Sequence, residues 1–311
     1  MKSATAADRN RDPVLPPALA SGDHIALVAP ASPFAVETFE QACEWLRSSG
    51  YQPVPGKNIY CRQGYLAGSE AQRAEDLIQA LVDPAIAAVF CVRGGYGSSR
   101  LLPWLPFSML KRHQKIFLGY SDITFLHLAL WKELRWVTFH GPNGMDLGNG
   151  PADRREEMLE ALSGRRDFIW DLDEARIIRH GVASGVLLGG NLTCLAHLLM
   201  TPYFPDMEGV LLMIEDRGEA LYRLDRVLTH LQLAGVFNNI SGLILGHFRD
   251  CAAEEQILNL VWDRVKSFQF PVITGLPFGH GATNDVLPLG TAYSLNTYDR
   301  TLHCLQRPFA G

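Results

Sequence analysis

The sequence predicts an α/β protein in two parts: a parallel sheet covered by helices on both faces, then a mixed α+β second half. Three observations carry this. The short apolar runs at 24–29, 87–92 and 116–118 are hydrophobic throughout rather than alternating, as strands buried on both faces are. Amphipathic helical stripes separate the first of them, and strand–helix alternation builds parallel sheets. Beyond Gly150 the texture becomes more polar and less regular, with glycines and prolines punctuating the last forty residues.

The elements follow in order. His24 to Ala29 reads as the first buried strand, stopped by Pro30 and followed by a small-residue turn through Ser32. Val36, Phe39, Cys43 and Leu46 then share one face of a helix that ends at Gly50. In the next helix Ser69 and Gln72 form a capping box, Ala74, Leu77, Ile78 and Leu81 form the stripe, and Pro84 ends it. Strands at 87–92 and 116–118 come next, and after Gly119-Tyr120 an apolar segment runs from Asp122 to near Trp131. A polar helix spans 153–162, and the charged stretch 165–179 holds the interdomain connection. The second half carries apolar runs at 186–188, 210–214 and 243–245 and a helix striped by Leu221, Leu224, Leu228 and Leu231. The expected organisation is a loose tail over 1–20, an N-terminal α/β domain over 21–150, a connection over 151–184 and a C-terminal domain over 185–311.

Composition narrows the function. A chain of 311 residues suits two domains. Net charge is −5 with no block of like charges, which argues against nucleic acid or an anionic membrane as the main partner. No apolar stretch reaches transmembrane length, and Met1 to Ala20 lacks the apolar core of a signal peptide. Six scattered cysteines without a C-x-x-C pair fit a reduced cytoplasm.

Four segments can carry chemistry. Ser121 stands where a strand stops and a helix starts, a place that lifts a hydroxyl above the sheet edge beside helix N-terminal amides. Gly119-x-Ser121 matches the front of the G-x-S-x-G elbow, but Ile123 replaces the second glycine, and a helix N-cap is the competing reading. Arg93-Gly94-Gly95-Tyr96-Gly97 follows a strand directly, so its glycines either make a tight turn or bring backbone amides to an oxyanion. Glu215 closes the 210–214 run; such acids often cap the next helix, but Asp216 or Glu219 can do that instead. His280 lies between two glycines, where it cannot pack as a core side chain; His140 and His247 are its rivals. Neither H-x-x-x-H nor H-E-x-x-H occurs, so no metal site is expected.

Six segments in this order, Val92-Arg93-Gly94-Gly95-Tyr96-Gly97, Gly119-Tyr120-Ser121-Asp122, Gly189-Gly190-Asn191-Leu192, Ile214-Glu215-Asp216, Leu243-Ile244-Leu245-Gly246 and Phe278-Gly279-His280-Gly281, resemble the L,D-carboxypeptidases of the murein-recycling type. That family also contains the microcin-immunity carboxypeptidases, and the likeness runs from about His24 to Leu302. The resemblance implies a flavodoxin-like N-terminal domain, a C-terminal domain with a swivelling β-barrel-like core, and a homodimer. It puts the nucleophile on Ser121, the triad acid on Glu215 and the base on His280. Oxyanion donors fall on the amides of Asp122 and Gly95, in the Gly94-Gly95 turn, and substrate contacts on Arg93, Gly94, Tyr96 and Asn191. The family's serine motif has the form found here, so the absent elbow glycine is no departure. The implied substrate is the cytoplasmic muropeptide L-Ala-γ-D-Glu-meso-diaminopimelate-D-Ala, with no cofactor or metal. The runner-up is a microcin-immunity-type hydrolase of a peptidyl or aminoacyl nucleotide. Such enzymes tend to carry an aromatic platform for adenine, whereas Trp262 falls in a helical segment. A noncatalytic ligand-binding α/β protein is the reading from another class.

Overall fold

The computed structural model describes residues 11–311. The first sheet contains β1 (His24–Val28), β2 (Gln52–Pro55), β3 (Ile86–Cys91), β4 (Ile116–Gly119) and β5 (Thr138–His140), ordered β2-β1-β3-β4-β5. These five strands are parallel. This is the flavodoxin-like order, whose ligand crevice opens beyond the carboxyl ends of β1 and β3. β2 escaped the sequence reading because Pro53 and Pro55 argue against a strand; an edge position tolerates them.

The helices on this sheet obey the stripes. Val36–Ser48 buries Phe39, Ala42, Cys43 and Leu46, and each fully buried leucine or phenylalanine contributes about 1.5–3 kcal/mol. Glu70–Val82 begins with the expected capping box, Ser69 accepting from the Gln72 amide and Gln72 from the Ser69 amide.

The second sheet contains β6 (Ile169–Asp171), β7 (Arg176–Arg179), β8 (Val182–Asn191), β9 (Leu211–Arg217), β10 (Gly242–Arg249), β11 (Val272–Gly279), β13 (Ala292–Asn296) and β14 (Thr301–Cys304). Their order is β6-β14-β13-β8-β9-β10-β11-β7. The central β8 to β11 are parallel, the flanking strands antiparallel, and the sheet curls as a half barrel. The remaining strand, β12 (Leu287–Leu289), returns to the first sheet and pairs antiparallel with β5, covering an edge that would otherwise be open.

Two segments carry more structure than the sequence declares. The segment 151–184 holds the helix Ala152–Leu162 and then supplies β6 and β7 to opposite edges of the second sheet, where short, charged strands are at home. Of the loose tail expected over 1–20, residues 1–10 lie outside the described residues. From Val14 onward the chain is held: the Val14 amide donates to Arg135, the Leu19 amide to Leu162, and Leu19 is buried.

The helix Thr124–Leu134 ties the two sheets together. It packs on β5 and also on β8 and the helix Leu192–Leu198 of the second half. Its residues are buried almost all round, which is why its sequence is apolar on every face.

Candidate active site

Ser121 follows β4 after one residue, Tyr120, at φ 65°. Left-handed backbone at a serine costs on the order of 1–3 kcal/mol and persists only where the surroundings enforce it. The side chain caps nothing: neither the 3-10 turn Ser121–Ile123 nor the helix after it has a side-chain cap. The N-cap reading is therefore not the one the structure realises. Gly94 is pressed against this turn. A Cβ on Gly94 would stand 2.7 Å from Ser121 Cβ, 2.9 Å from its Oγ and 3.2 Å from the Asp122 amide nitrogen.

Glu215 closes the buried run of β9 and is wholly buried. Asp216 is free of capping the next helix, which begins at Ala220 without a side-chain cap. Instead its carboxylate accepts from the Thr193 amide (3.0 Å), the Thr193 hydroxyl (2.7 Å) and Asn191 Nδ2 (2.9 Å), at the start of Leu192–Leu198. The Asn191 Oδ1 accepts from the Cys194 amide at 3.0 Å. Asn191, expected to touch substrate, is thus buried with its carboxamide bonded on both sides. Its amide donates to Thr124 Oγ1 at 2.9 Å, and it pairs across the sheet with Glu215. Three residues from Ser121, the chain is thereby bolted to the strand beside Glu215.

His280 reaches in from the end of β11. Its Nδ1 lies 2.6 Å from Glu215 Oε2 and its Nε2 lies 3.1 Å from Ser121 Oγ. An ionised carboxylate only accepts, so Nδ1 donates to Glu215 and the Nε2 lone pair accepts from the serine hydroxyl. The close approach requires Gly279, at φ 91°: a Cβ there would stand 2.6 Å from Glu215 Oε2. Burial pushes the Glu215 carboxyl up, opposed by its bond to His280, and its Oε1 has no partner. The Tyr120 ring leans on the imidazole at 5.0 Å between centroids.

The rival histidines are elsewhere engaged or unpaired. His140 is fully buried against Tyr120 and Phe278, with both ring nitrogens unpartnered and burial holding it well below its ordinary value. His247 packs under the loop after His280, its Nε2 unpartnered. His127, which reads as an ordinary helix residue, bonds the Gly119 carbonyl at 2.8 Å and the Thr138 hydroxyl at 2.8 Å, anchoring the strand end before Ser121.

The remaining expected residues surround the loop after β3. Gly94, not Gly95, touches Ser121; Gly95 lies against Ser32, and the Ser32 hydroxyl accepts from the Tyr96 amide at 3.1 Å. Asp122 is buried, and its carboxylate accepts from the Ser98 amide at 2.8 Å, tying the Ser121 turn to the start of the 3-10 helix Ser98–Trp104 that follows the glycine-rich loop. Arg93 is exposed and donates to the Pro33 carbonyl at 2.7 Å. Sequence reasoning missed Arg73, whose buried guanidinium donates to the carbonyls of Pro30, Gly68 and Gly97 and so braces both loops of the crevice. It stands on a helix face that looks solvated in sequence. Among the described residues no cluster of three or more His, Cys, Asp or Glu is placed to hold a metal.

Known proteins resemble this chain over most of its length. Residues 25–141 match the model for the LD-carboxypeptidase N-terminal domain and 184–295 that for its C-terminal domain. The chain is 35% identical over 295 residues to a probable murein peptide carboxypeptidase of Bacillus subtilis, covering 92% of each protein. It is 33% identical over 281 residues to a murein tetrapeptide carboxypeptidase of Pseudomonas aeruginosa, covering 86% of this chain and 91% of that protein. Among solved structures, a muramoyltetrapeptide carboxypeptidase from Oxalobacter formigenes superposes with TM-score 0.79 at 30% identity, covering 90% and 97% of the two chains. MccF in complex with glutamyl sulfamoyl guanosine superposes with TM-score 0.89 over 96% of this chain and all of that one. At 24% identity this likeness carries the fold alone.

Proposed function

The chain belongs to the LD-carboxypeptidase family, and from that premise we propose that it is a serine carboxypeptidase releasing terminal D-alanine from a murein tetrapeptide. The observation that carries this reading is the continuous relay from Ser121 Oγ through His280 to Glu215, at 3.1 and 2.6 Å.

In this reading His280 Nε2 takes the hydroxyl proton as Ser121 Oγ attacks the carbonyl of the L-configured centre. Glu215 stays ionised, fixes the tautomer and stabilises the imidazolium. The Nε2 proton then passes to the departing nitrogen, and D-alanine leaves. A water that gives its proton to His280 attacks the acyl-serine, and His280 returns that proton to Ser121 Oγ as the shortened peptide leaves. The Asp122 amide and the Gly94-Gly95 turn are assigned to the developing oxyanion in this reading, each donor contributing on the order of 3 kcal/mol.

The substrate favoured is L-Ala-γ-D-Glu-meso-diaminopimelate-D-Ala, by analogy with the murein peptide carboxypeptidases that share about a third of their residues with this chain. The setting proposed is peptidoglycan recycling by a cytoplasmic homodimer; the six unpaired cysteines suit a reducing compartment.

Incubation with tetrapeptides ending in D-alanine or L-alanine, with released alanine measured, tests the reading. Release from the D isomer alone, persisting in EDTA, is expected. Equal cleavage of both, or activity lost to EDTA and restored by zinc, would refute it. An aminoacyl sulfamoyl adenosine in the same assay tests the microcin-immunity alternative, and its faster turnover would reverse the order.

A further inference from the structure

His280 stands on a stretch of chain that regular pairing does not hold. Leu245 of β10 pairs with Thr274 of β11, but the next pair is His247 with Gly279, so β10 advances two residues while β11 advances five. A bulge of this kind re-aims the strand end, and it leaves the residues before His280 out of the ladder. Beyond Gly279 the segment 280–286 forms no helix or strand until β12 begins at Leu287 in the other sheet. Two bonds close this crossing into a loop. The Gly279 amide donates to Asn284 Oδ1 at 2.9 Å, and the Asp285 amide donates to the Pro277 carbonyl at 2.7 Å. Farther from the imidazole, Trp170 Nε1 donates to Asp285 Oδ2 at 3.0 Å.

We propose that Asn284 is a positioning residue for the triad base: its carboxamide oxygen holds the Gly279 amide and fixes the backbone from which His280 reaches Glu215 and Ser121. The inference rests on the reading of His280 as the base of a serine peptidase. Gly279 stands at φ 91°, which its lack of a side chain permits, and beside Glu215 only a glycine fits. A glycine that can adopt this backbone can also leave it, so another group has to restrain it. Asn284 supplies that restraint from five residues on. Its Nδ2 is buried without a partner. Burying an amide donor unpaired is unfavourable, so packing does not account for the side chain, whereas the bond made by its oxygen does. The imidazole has to meet Glu215 Oε2 at 2.6 Å and Ser121 Oγ at 3.1 Å together, and a catalytic group is held to that tolerance only by the shell that supports it.

The test measures steady-state release of D-alanine and low-field proton NMR in wild type, Asn284→Ala, Asn284→Asp and Trp170→Phe. Asn284→Ala is expected to lower kcat on the order of 10²-fold, as a misplacement of about 1 Å does, with KM within about twofold of wild type. Asn284→Asp keeps an oxygen for the Gly279 amide and replaces only the unpartnered nitrogen, so its kcat should return to within about fivefold of wild type. Trp170→Phe loses the outer bond to Asp285 and should stay within about threefold. Should Asn284→Ala not fold, the near-isosteric Asn284→Leu makes the same comparison. The proton between His280 Nδ1 and Glu215 lies in a short, charge-assisted bond and resonates at low field. His280→Ala identifies that signal by its loss. The signal is expected in wild type and Asn284→Asp, and moved upfield or lost to solvent exchange in Asn284→Ala. It needs no substrate, so it reads the inference even if the protein releases no D-alanine and the peptidase reading itself falls. A resonance unmoved in Asn284→Ala, or absent from wild type, would overturn the proposal. Losses of kcat as large in Asn284→Asp or Trp170→Phe as in Asn284→Ala would also overturn it, because they would assign the effect to general stiffness of the loop.

Discussion

The carboxyl ends of β4 and β9 serve one site by opposite means. At the end of β4 the backbone is forced to φ 65° and the serine is left partly accessible. At the end of β9 the backbone is ordinary strand, and the carboxylate is hidden completely, with one oxygen unpartnered. The first end stores conformational strain and the second stores electrostatic cost. The attacking atom has to reach a substrate, whereas the orienting acid has to be kept from water so that its hold on the imidazole is not screened. The two ends therefore differ in what a substitution relieves.

The largest effect expected is on turnover. Ser121→Ala and His280→Ala should each lower kcat by on the order of 10⁴-fold or more, and the double variant should fall little further, because the groups act as one unit. Steady-state release of D-alanine by the three variants checks this. Multiplicative losses would mean that the two ends act separately.

Next comes Gly279→Ala. Its Cβ would crowd Glu215 at 2.6 Å, at a backbone φ of 91°. Displacing the imidazole by even 1 Å should cost on the order of 10²-fold in kcat/KM. A variant with wild-type rates would break the claim that close approach at this glycine sets the His280–Glu215 distance.

The same contrast explains what the sequence made legible. Ser121, Glu215 and His280 stood out because each sits at a strand end or between glycines; helix capping competed at the first two, and the family resemblance set the three apart. The parallel strands stood out because double-sided burial writes continuous apolar runs. What stayed hidden depends on pairing rather than pattern. Leu287–Leu289 is too short to declare which sheet it joins, and β6 and β7 lie in a stretch whose charges read as linker. Asn191 is expected at the substrate only through the family resemblance; its partners in the fold are a helix start and Asp216, distant in sequence. Arg73 and His127 act through backbone carbonyls, which leave no mark on residue type.

The smallest effects expected are on stability, and they carry the sign of the comparison. Burial raises the Glu215 carboxyl above its ordinary value of 4.5. Below that value the group is protonated in both folded and unfolded chains. As pH rises above it the unfolded chain ionises first, so the folded state loses stability until the raised folded value is passed. Glu215→Gln removes this cost, so its Tm should exceed that of wild type at neutral pH and converge with it near about pH 4. Ser121→Gly should be more stable than Ser121→Ala by about 1 kcal/mol, because only glycine adopts the left-handed backbone freely. Thermal melts across pH read both. A Tm difference for Glu215→Gln that grows toward acid would contradict the buried-charge account.

The central claim is that one hydroxyl, activated across the two sheets, does the covalent chemistry. Its most direct measurement is labelling with a fluorophosphonate serine probe, followed by peptide mass spectrometry of wild type, Ser121→Ala and His280→Ala. A single adduct on Ser121 in wild type, absent from Ser121→Ala and formed far more slowly in His280→Ala, is the expected result. An adduct on another serine, or D-alanine release that persists in Ser121→Ala, would contradict it.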